Sequence, residues 1–600
     1  MMRDVRKQSF PPVPRAWHWL ACAAALIIAG SAIDPVEAAG RRSAVRRGVI
    51  PPAPHVSAPD CSGEPLNETC NDGGEFAPLS AEEVERLARG ALAAIDDPGM
   101  TVAVVDRAGR PLAVIRNPEA DPANDEIAVG VARTAAFFSH NMAPLSSRTV
   151  RTISGVHFPP GVKRAPNAAL YGIENTNRGC NFNVQFNEGK CVPRATALNG
   201  LPCDAFDQRG CGTGPVTGKP DAFDGHAGGD HPEPVGLRGP FNPGGLPVNP
   251  GGIPIYRVAD FQIVDGSIED GDAQVRVSGP SFMLGGVGVA GTTTPEAAEF
   301  AAFAAVAFAG GGLFPAPSFP LPEPGRVFID GFRLPFVEQG KRPAGLSAGS
   351  PSSGTFVLGP NRGGCIANRY LVGPAASAEL SVEEVDALVR NTFRTATETS
   401  ALIRLPLSSY ARMAIAVSDL DGNIIALYRM PDSTVFSIDV AVAKARNVVW
   451  FSGEGSGDLP GLSAGRSVTA RTVGFGAQPM YPAGIDFTEP GPFFELFLND
   501  LENVCSQGSQ PPNPNQNGIV FFPGSLPLYR GGQLVGGLGV SGDGIDQDDF
   551  VTWGGAELYR PPPEIWPDRE TIRNARIPFL KFPRRPGGVT EPVREPFDEP

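Results

Sequence analysis

The sequence is poor in histidine: six occur in 600 residues, and none lies beyond His231. Chemistry that needs an imidazole, such as a serine-hydrolase triad or a histidine metal centre, is therefore excluded from the C-terminal part. Positive charge is also scarce, with 50 Lys and Arg against 64 Asp and Glu. A chain of that balance is repelled by nucleic-acid phosphates and by anionic membranes. No two of the nine cysteines form a Cys-x-x-Cys pair, which removes zinc knuckles, thioredoxin-like redox sites and c-type haem attachment. Past residue 32 no apolar run approaches the ~20 residues that a membrane helix requires.

What is plentiful is glycine and proline, 73 and 63 residues, against usual shares of about 7% and 5%. Long ordered loops and a modest helix content follow. The N-terminus reads as a targeting segment. Arg3, Arg6, Lys7 and Arg15 precede an apolar run from Trp17 to Ala32 and the small-residue stretch Val36-Glu-Ala-Ala39, the order of a cleavable secretory signal over residues 1–39. A periplasmic or secreted location is expected, with no membrane span after cleavage. Cys22 would leave with the signal, and the eight remaining cysteines read as disulfides in an oxidising compartment.

The chain then repeats itself. Leu79-Ser-Ala-Glu-Glu-Val84 returns as Leu380-Ser-Val-Glu-Glu-Val385, and Val102-Ala-Val-Val-Asp106 as Ile415-Ala-Val-Ser-Asp419. Gly252-Ile-Pro-Ile-Tyr-Arg257 returns as Ser525-Leu-Pro-Leu-Tyr-Arg530, and Gly285-Gly-Val-Gly-Val-Ala-Gly291 as Gly536-Gly-Leu-Gly-Val-Ser-Gly542. Four blocks in one order, spaced far beyond the roughly 20–50 residues of solenoid repeats, indicate a duplicated globular domain. We place copy one at 76–310, with a Cys/Gly/Pro-rich insertion at 181–250, and copy two at 376–560. Residues 40–75 and 311–375 read as linkers, and 561–600 as a Pro-rich tail that wraps a surface or stays disordered.

Each copy opens on an amphipathic helix with a Ser-x-x-Glu capping box, Ser80/Glu83 and Ser381/Glu384. A hairpin turning at Asp106–Gly109 or Asp419–Gly422 follows, then an apolar helix over 127–138 or 437–451. Further strands carry the Pro-x-Tyr-Arg and glycine blocks. The fold class is α/β, two tandem copies of a mainly antiparallel sheet flanked by helices. The glycine blocks sit in β-rich sequence, so they suit close backbone packing or a bulge, not a dinucleotide fingerprint. Cys180 and Cys505 fall at equivalent places, and the economical pairing in copy two is Cys365 with Cys505.

Taken together, Asp419-x-x-Gly422, Ser437-Ile-Asp-Val-Ala-Val-Ala-Lys444-Ala445, Pro527-Leu-Tyr-Arg530 and the Gly536–Gly542 block followed by Asp546-Gln-Asp548 resemble the GlcG/HbpS-like family of haem-degrading or haem-binding domains. The resemblance implies a helix-flanked antiparallel sheet, assembly into oligomers, and association with haem or iron. Departures are visible in copy one, where Val131 replaces Lys444 and Thr-Pro-Glu296-Ala-Ala-Glu299 replaces the acidic run.

Haem needs an axial side chain beside an apolar slot. His157 and Met480 occupy equivalent Pro-Gly loops and are the candidate axial pair, with Lys444, Tyr256 and Tyr529 as further ligand contacts. The ordinary alternative for Lys444 is a lysine that packs its stem and pairs with a carboxylate. Asp224, His226, Asp230 and His231 are a candidate metal cluster in the insertion, although a polar glycine-rich loop has the same composition. No catalytic residue is assigned. Two functions fit: a binder of haem or a related planar small molecule, or a non-catalytic partner presenting loops to another periplasmic protein.

Overall fold

The computed structural model describes residues 77–600 apart from 142, 155–169, 179–244, 266–273, 317–327, 330–331, 365, 367–368, 407, 483–484, 486–487, 504–505, 514, 592, 594–596 and 598–600. His157, the cluster Asp224, His226, Asp230 and His231, and every cysteine lie outside the described residues.

The first repeat runs α1 (Ala81–Ala94), β1 (Thr101–Asp106), β2 (Pro111–Arg116), α2 (Asn124–Phe138), α3 (Ser147–Ser154), β3 (Gly252–Asp265), β4 (Gln274–Ala290), α4 (Pro295–Ala307) and β5 (Leu313–Phe314). The stretch read as a linker is built from β6 (Phe328–Ile329), β7 (Phe332–Arg333), β8 (Thr355–Leu358) and β9 (Arg369–Val372). The second repeat follows as α5 (Val382–Glu398), β10 (Ala414–Ser418), β11 (Ile424–Arg429), α6 (Phe436–Ser452), α7 (Ala470–Gly476), α8 (Phe494–Glu502), β12 (Ser525–Arg530), β13 (Gln533–Ser541) and α9 (Ile545–Gly555). A hairpin, β14 (Thr571–Ile572) and β15 (Ala575–Arg576), follows α9.

The local signals act as expected. Ser80 and Ser381 cap α1 and α5, and Glu83 and Glu384 reach back to the cap N–H groups. Gly109 and Gly422 close the hairpin turns at φ +79° and +77°, where a β-carbon would be strained. The sheets are antiparallel with strand orders β5-β3-β4-β1-β2-β8 and β12-β13-β10-β11-β9. Four strands, β3-β4-β1-β2 and β12-β13-β10-β11, thus occur in the same order twice, and even the bulges at Val104/Val105 and Val417/Ser418 coincide.

The glycine block explains how helix meets sheet. A β-carbon on Gly286 or Gly288 would sit 2.3 or 2.0 Å from the Ala132 or Ala128 carbonyl oxygen of α2. One on Gly537 or Gly539 would sit 2.1 Å from the Ala445 or Ala441 oxygen of α6. The bare strand lets the alanine-rich helix lie directly on it. Gly539→Ala is therefore expected to push α6 outward and cost about 1–3 kcal/mol, the usual range for overpacking. A denaturation midpoint unchanged from the parent would contradict this.

The linker and tail prove to be one repeated arm, which the sequence reading did not connect. Hairpin β6–β7 leads into Pro335-Phe336, whose carbonyls accept from Thr149 (2.6 Å) and Ser146. Hairpin β14–β15 leads into Pro578-Phe579, whose carbonyls accept from Thr472 (2.8 Å) and Thr469 (2.7 Å). Glu299, paired with Arg148, takes the N–H of Gln339 at 2.9 Å. Asp549, paired with Arg471, takes that of Lys581 at 3.0 Å. Each arm then crosses its own first helix and lays a phenylalanine under an arginine: Phe356 beneath Arg89 at 5.0 Å, Phe597 beneath Arg390 at 4.5 Å. β8 goes on to pair with β2, and β9 with β11.

The repeats share one interior. A single buried cluster takes Ala132, Phe138 and Tyr256 from the first and Phe436, Val440 and Phe522 from the second. Phe138 stacks on Phe436 at 4.0 Å, and Tyr171 on Phe497 at 4.9 Å.

Candidate functional site

Helix α6 carries Lys444 on its sheet-facing side, and the loop after β13 leads into the acidic first turn of α9. This arrangement brings together two features that lie 104 residues apart. Lys444 is fully buried, and its Nζ donates to the Val540 carbonyl at 2.8 Å and to Asp548 Oδ2 at 3.1 Å, over the Phe522 ring at 4.9 Å. Gly524, at φ +117°, leaves the ammonium the room that a β-carbon would take at 2.6 Å. Burial disfavours both charges: it lowers the Lys444 pKa and raises that of Asp548 to about 7. The first repeat holds Val131 and Ala298 at these two positions, so both members of the pair are gone together.

A second buried network sits where the repeats meet. Arg404 is wholly buried and binds Asp432 Oδ2 at 2.5 Å and Asp543 Oδ2 at 2.7 Å. Burial opposes its charge, but the two carboxylates outweigh that and raise its pKa. Asp432 accepts the N–H of Asn141 from the other repeat at 2.8 Å, and Asp543 that of Arg412 at 2.9 Å. His140, from the first repeat, lies 3.2 Å from the Ile403 carbonyl and 3.8 Å from Asp543. A carbonyl only accepts, so Nε2 carries the proton, and Nδ1 is left without a partner. Burial first, then the positive Arg404, hold the His140 pKa well below its usual 6.5.

A third contact pins the base of the insertion. Asp439 of α6, its pKa raised to about 6 by burial, takes the Asn177 N–H at 2.7 Å. Arg178 binds Asp500 at 2.8 Å.

Set against these networks, the expected contacts fare unevenly. Tyr256 is fully buried and donates its hydroxyl to the His140 and Ala143 carbonyls at 3.0 and 2.9 Å. Tyr529 is only 7% exposed. Lys444 is spent on Asp548. All three face the interior: both sides of the sheets are covered, so β3 and β12 turn neither tyrosine to solvent, and Lys444 sits on the sheet-facing side of α6. Met480 is half buried in the loop after α7. The acidic run is divided in its work: Asp548 belongs to the lysine, whereas Asp549 holds the arm as Glu299 does in the first repeat. The interfacial residues Arg404, Asp432, Asp543 and His140 escaped the sequence reading, since nothing local marks them. Among the described residues no group of three or more His, Cys, Asp or Glu is placed to hold a metal ion, and no helix is long and apolar enough to cross a membrane.

The family model described as haem degrading protein, HbpS-like, matches residues 79–185 and 396–556, one region in each repeat. No curated protein matches the chain. Solved structures that it resembles include a PduOC:haem complex, 20% identical over 30% of this chain and 95% of that one, TM-score 0.20. Klebsiella pneumoniae protein ORFY is 17% identical over 31% and 93%, TM-score 0.21. A double mutant of Streptomyces reticuli HbpS is 17% identical over 31% and 89%, TM-score 0.19.

Proposed function

We propose, from two HbpS-like domains in tandem, that this protein binds haem or a related planar ligand. The observation that carries the reading is the double match to a family described by haem chemistry. The first repeat is the stronger binder, because the histidines other than His18 in the N-terminal targeting segment all belong to it or to the segment before it. His157 is its candidate axial ligand, with Met480 as the counterpart in the second. Titrating the purified protein with haem should raise a Soret band, and His157→Ala should shift or weaken it. A visible spectrum identical to that of free haem at all ratios would overturn the reading. An unchanged bound spectrum in His157→Ala would exclude that residue alone. The N-terminal segment supports an exported protein, periplasmic or secreted, with disulfides such as Cys365–Cys505.

A second reading has its own support. Lys444, Tyr256 and Tyr529, which a ligand would need at a surface, are turned into the core. A duplicated domain of that kind serves as a scaffold presenting loops to a periplasmic protein. One-to-one co-purification with a partner, without haem uptake, would favour it.

A further inference from the structure

The two arms end differently, and the difference builds a site. In the first repeat the terminal phenylalanine, Phe356, is held within β8 opposite Ile115. Leu92 and Ile115 lie beside this strand, in the buried cluster against which Phe356 packs. In the second repeat these two aliphatic positions are Phe393 and Tyr428, β9 sets Tyr370 opposite Tyr428 where β8 sets Phe356 opposite Ile115, and the further ring is Phe597. Phe597 sits among the three rings: stacked on Tyr428 at 5.0 Å and 16°, edge-on to Phe393 at 5.2 Å and to Tyr370 at 5.9 Å. The Arg390 guanidinium lies 4.5 Å from the centre of the same ring. Asp386 fixes this frame, accepting from Arg390 at 2.5 Å and from the Tyr370 hydroxyl at 2.8 Å. Tyr370 and Tyr428 are 1% and 0% exposed, whereas the ring they receive is only half buried and belongs to no strand.

We propose that Tyr370, Phe393, Tyr428 and Arg390 form a binding slot for an electron-rich planar aromatic ring, with Phe597 as its resident occupant that leaves to admit a ligand. A stacked face, two edge-on rings and a cation over the ring suit such a guest, because ring edges and cations are both drawn to a π face. Packing alone needs no such frame, since the first repeat closes the same corner with one clamped phenylalanine on aliphatic neighbours. The slot is independent of haem uptake, and a chain that takes no haem retains it.

Indole, added to the full-length protein without haem, is the test. By calorimetry, Phe597→Ala should bind one indole at least tenfold more tightly than the parent. Phe597→Trp, which refills the slot, should bind no better than the parent. Adding Arg390→Gln to Phe597→Ala should weaken indole at least fivefold. Equal affinity in the parent and Phe597→Ala would overturn the proposal, as would indifference to Arg390→Gln. If Phe597→Ala proves unfolded by circular dichroism, Phe597→Leu, which keeps apolar volume but removes the ring, decides by the same criteria.

Discussion

Lys444→Met is expected to destabilise the protein by about 3–5 kcal/mol at neutral pH, the range for removing one partner of a buried ion pair. Methionine replaces the stem but leaves Asp548 buried without its cation. Adding Asp548→Ala, the residue type of the first repeat, should return most of that loss, because removing both charges together is often close to neutral. The pair also has a pH signature. Asp548 titrates near 7 when folded against a usual 3.8, so the folded state holds an extra proton between those values and this group adds stability as pH falls from 7 towards 4. Denaturant titrations of both singles and the double form a double-mutant cycle. Additive losses would show that the pair is not coupled.

The second large effect belongs to the junction. Arg404→Met leaves Asp432 and Asp543 buried without their shared guanidinium, again at a cost of about 3–5 kcal/mol. Because Asp432 also holds Asn141 of the other repeat, the loss should appear as loosening between repeats, with faster proteolysis there. A deficit below ~1 kcal/mol would mean that water or rearrangement replaces the arginine. His140 supplies an opposite pH trend. Its folded pKa is depressed, so below about 6.5 the unfolded chain binds a proton that the folded one refuses, and stability falls by up to ~1.4 kcal/mol per pH unit. His140→Gln, which keeps a donor for the Ile403 carbonyl, should flatten the acid side of the stability profile relative to the parent. Parallel profiles for the two proteins would sink the assignment.

How far the sequence carried is clearest residue by residue. Ser80, Ser381, Gly109 and Gly422 were legible because caps and turns are decided within four residues. Gly286, Gly288, Gly537 and Gly539 were legible as close packing because their β-rich setting left no helix to follow. The arm was not, although Arg333-Leu-Pro-Phe336 and Arg576-Ile-Pro-Phe579 repeat each other; four residues inside Pro/Gly-rich sequence give little to align, and only their anchoring on α3 and α7 exposes them. Nor does periodicity distinguish a ligand-facing tyrosine from a core one when both faces of a strand are covered, which is why Tyr256 and Tyr529 proved internal. Lys444 and Asp548 were each singled out, but their meeting depends on how α6 and α9 are set around one sheet.

The contacts across the shared interior are not mirrored. His140 and Asn141 come from one repeat, Arg404, Asp432 and Asp543 from the other, and Asp439 grips Asn177 while its sequence counterpart is Glu126. An association of this kind, tethered in one polypeptide, never dilutes and never pairs with the wrong mate. Each half is thereby released from having to recognise itself, and charge can vanish from one side, as at Val131 and Ala298, while the other keeps it. Two such halves are no longer interchangeable: a chain rebuilt from two first repeats would meet at a seam without Arg404, because the connection that carries it, between α5 and β10, is far shorter between α1 and β1.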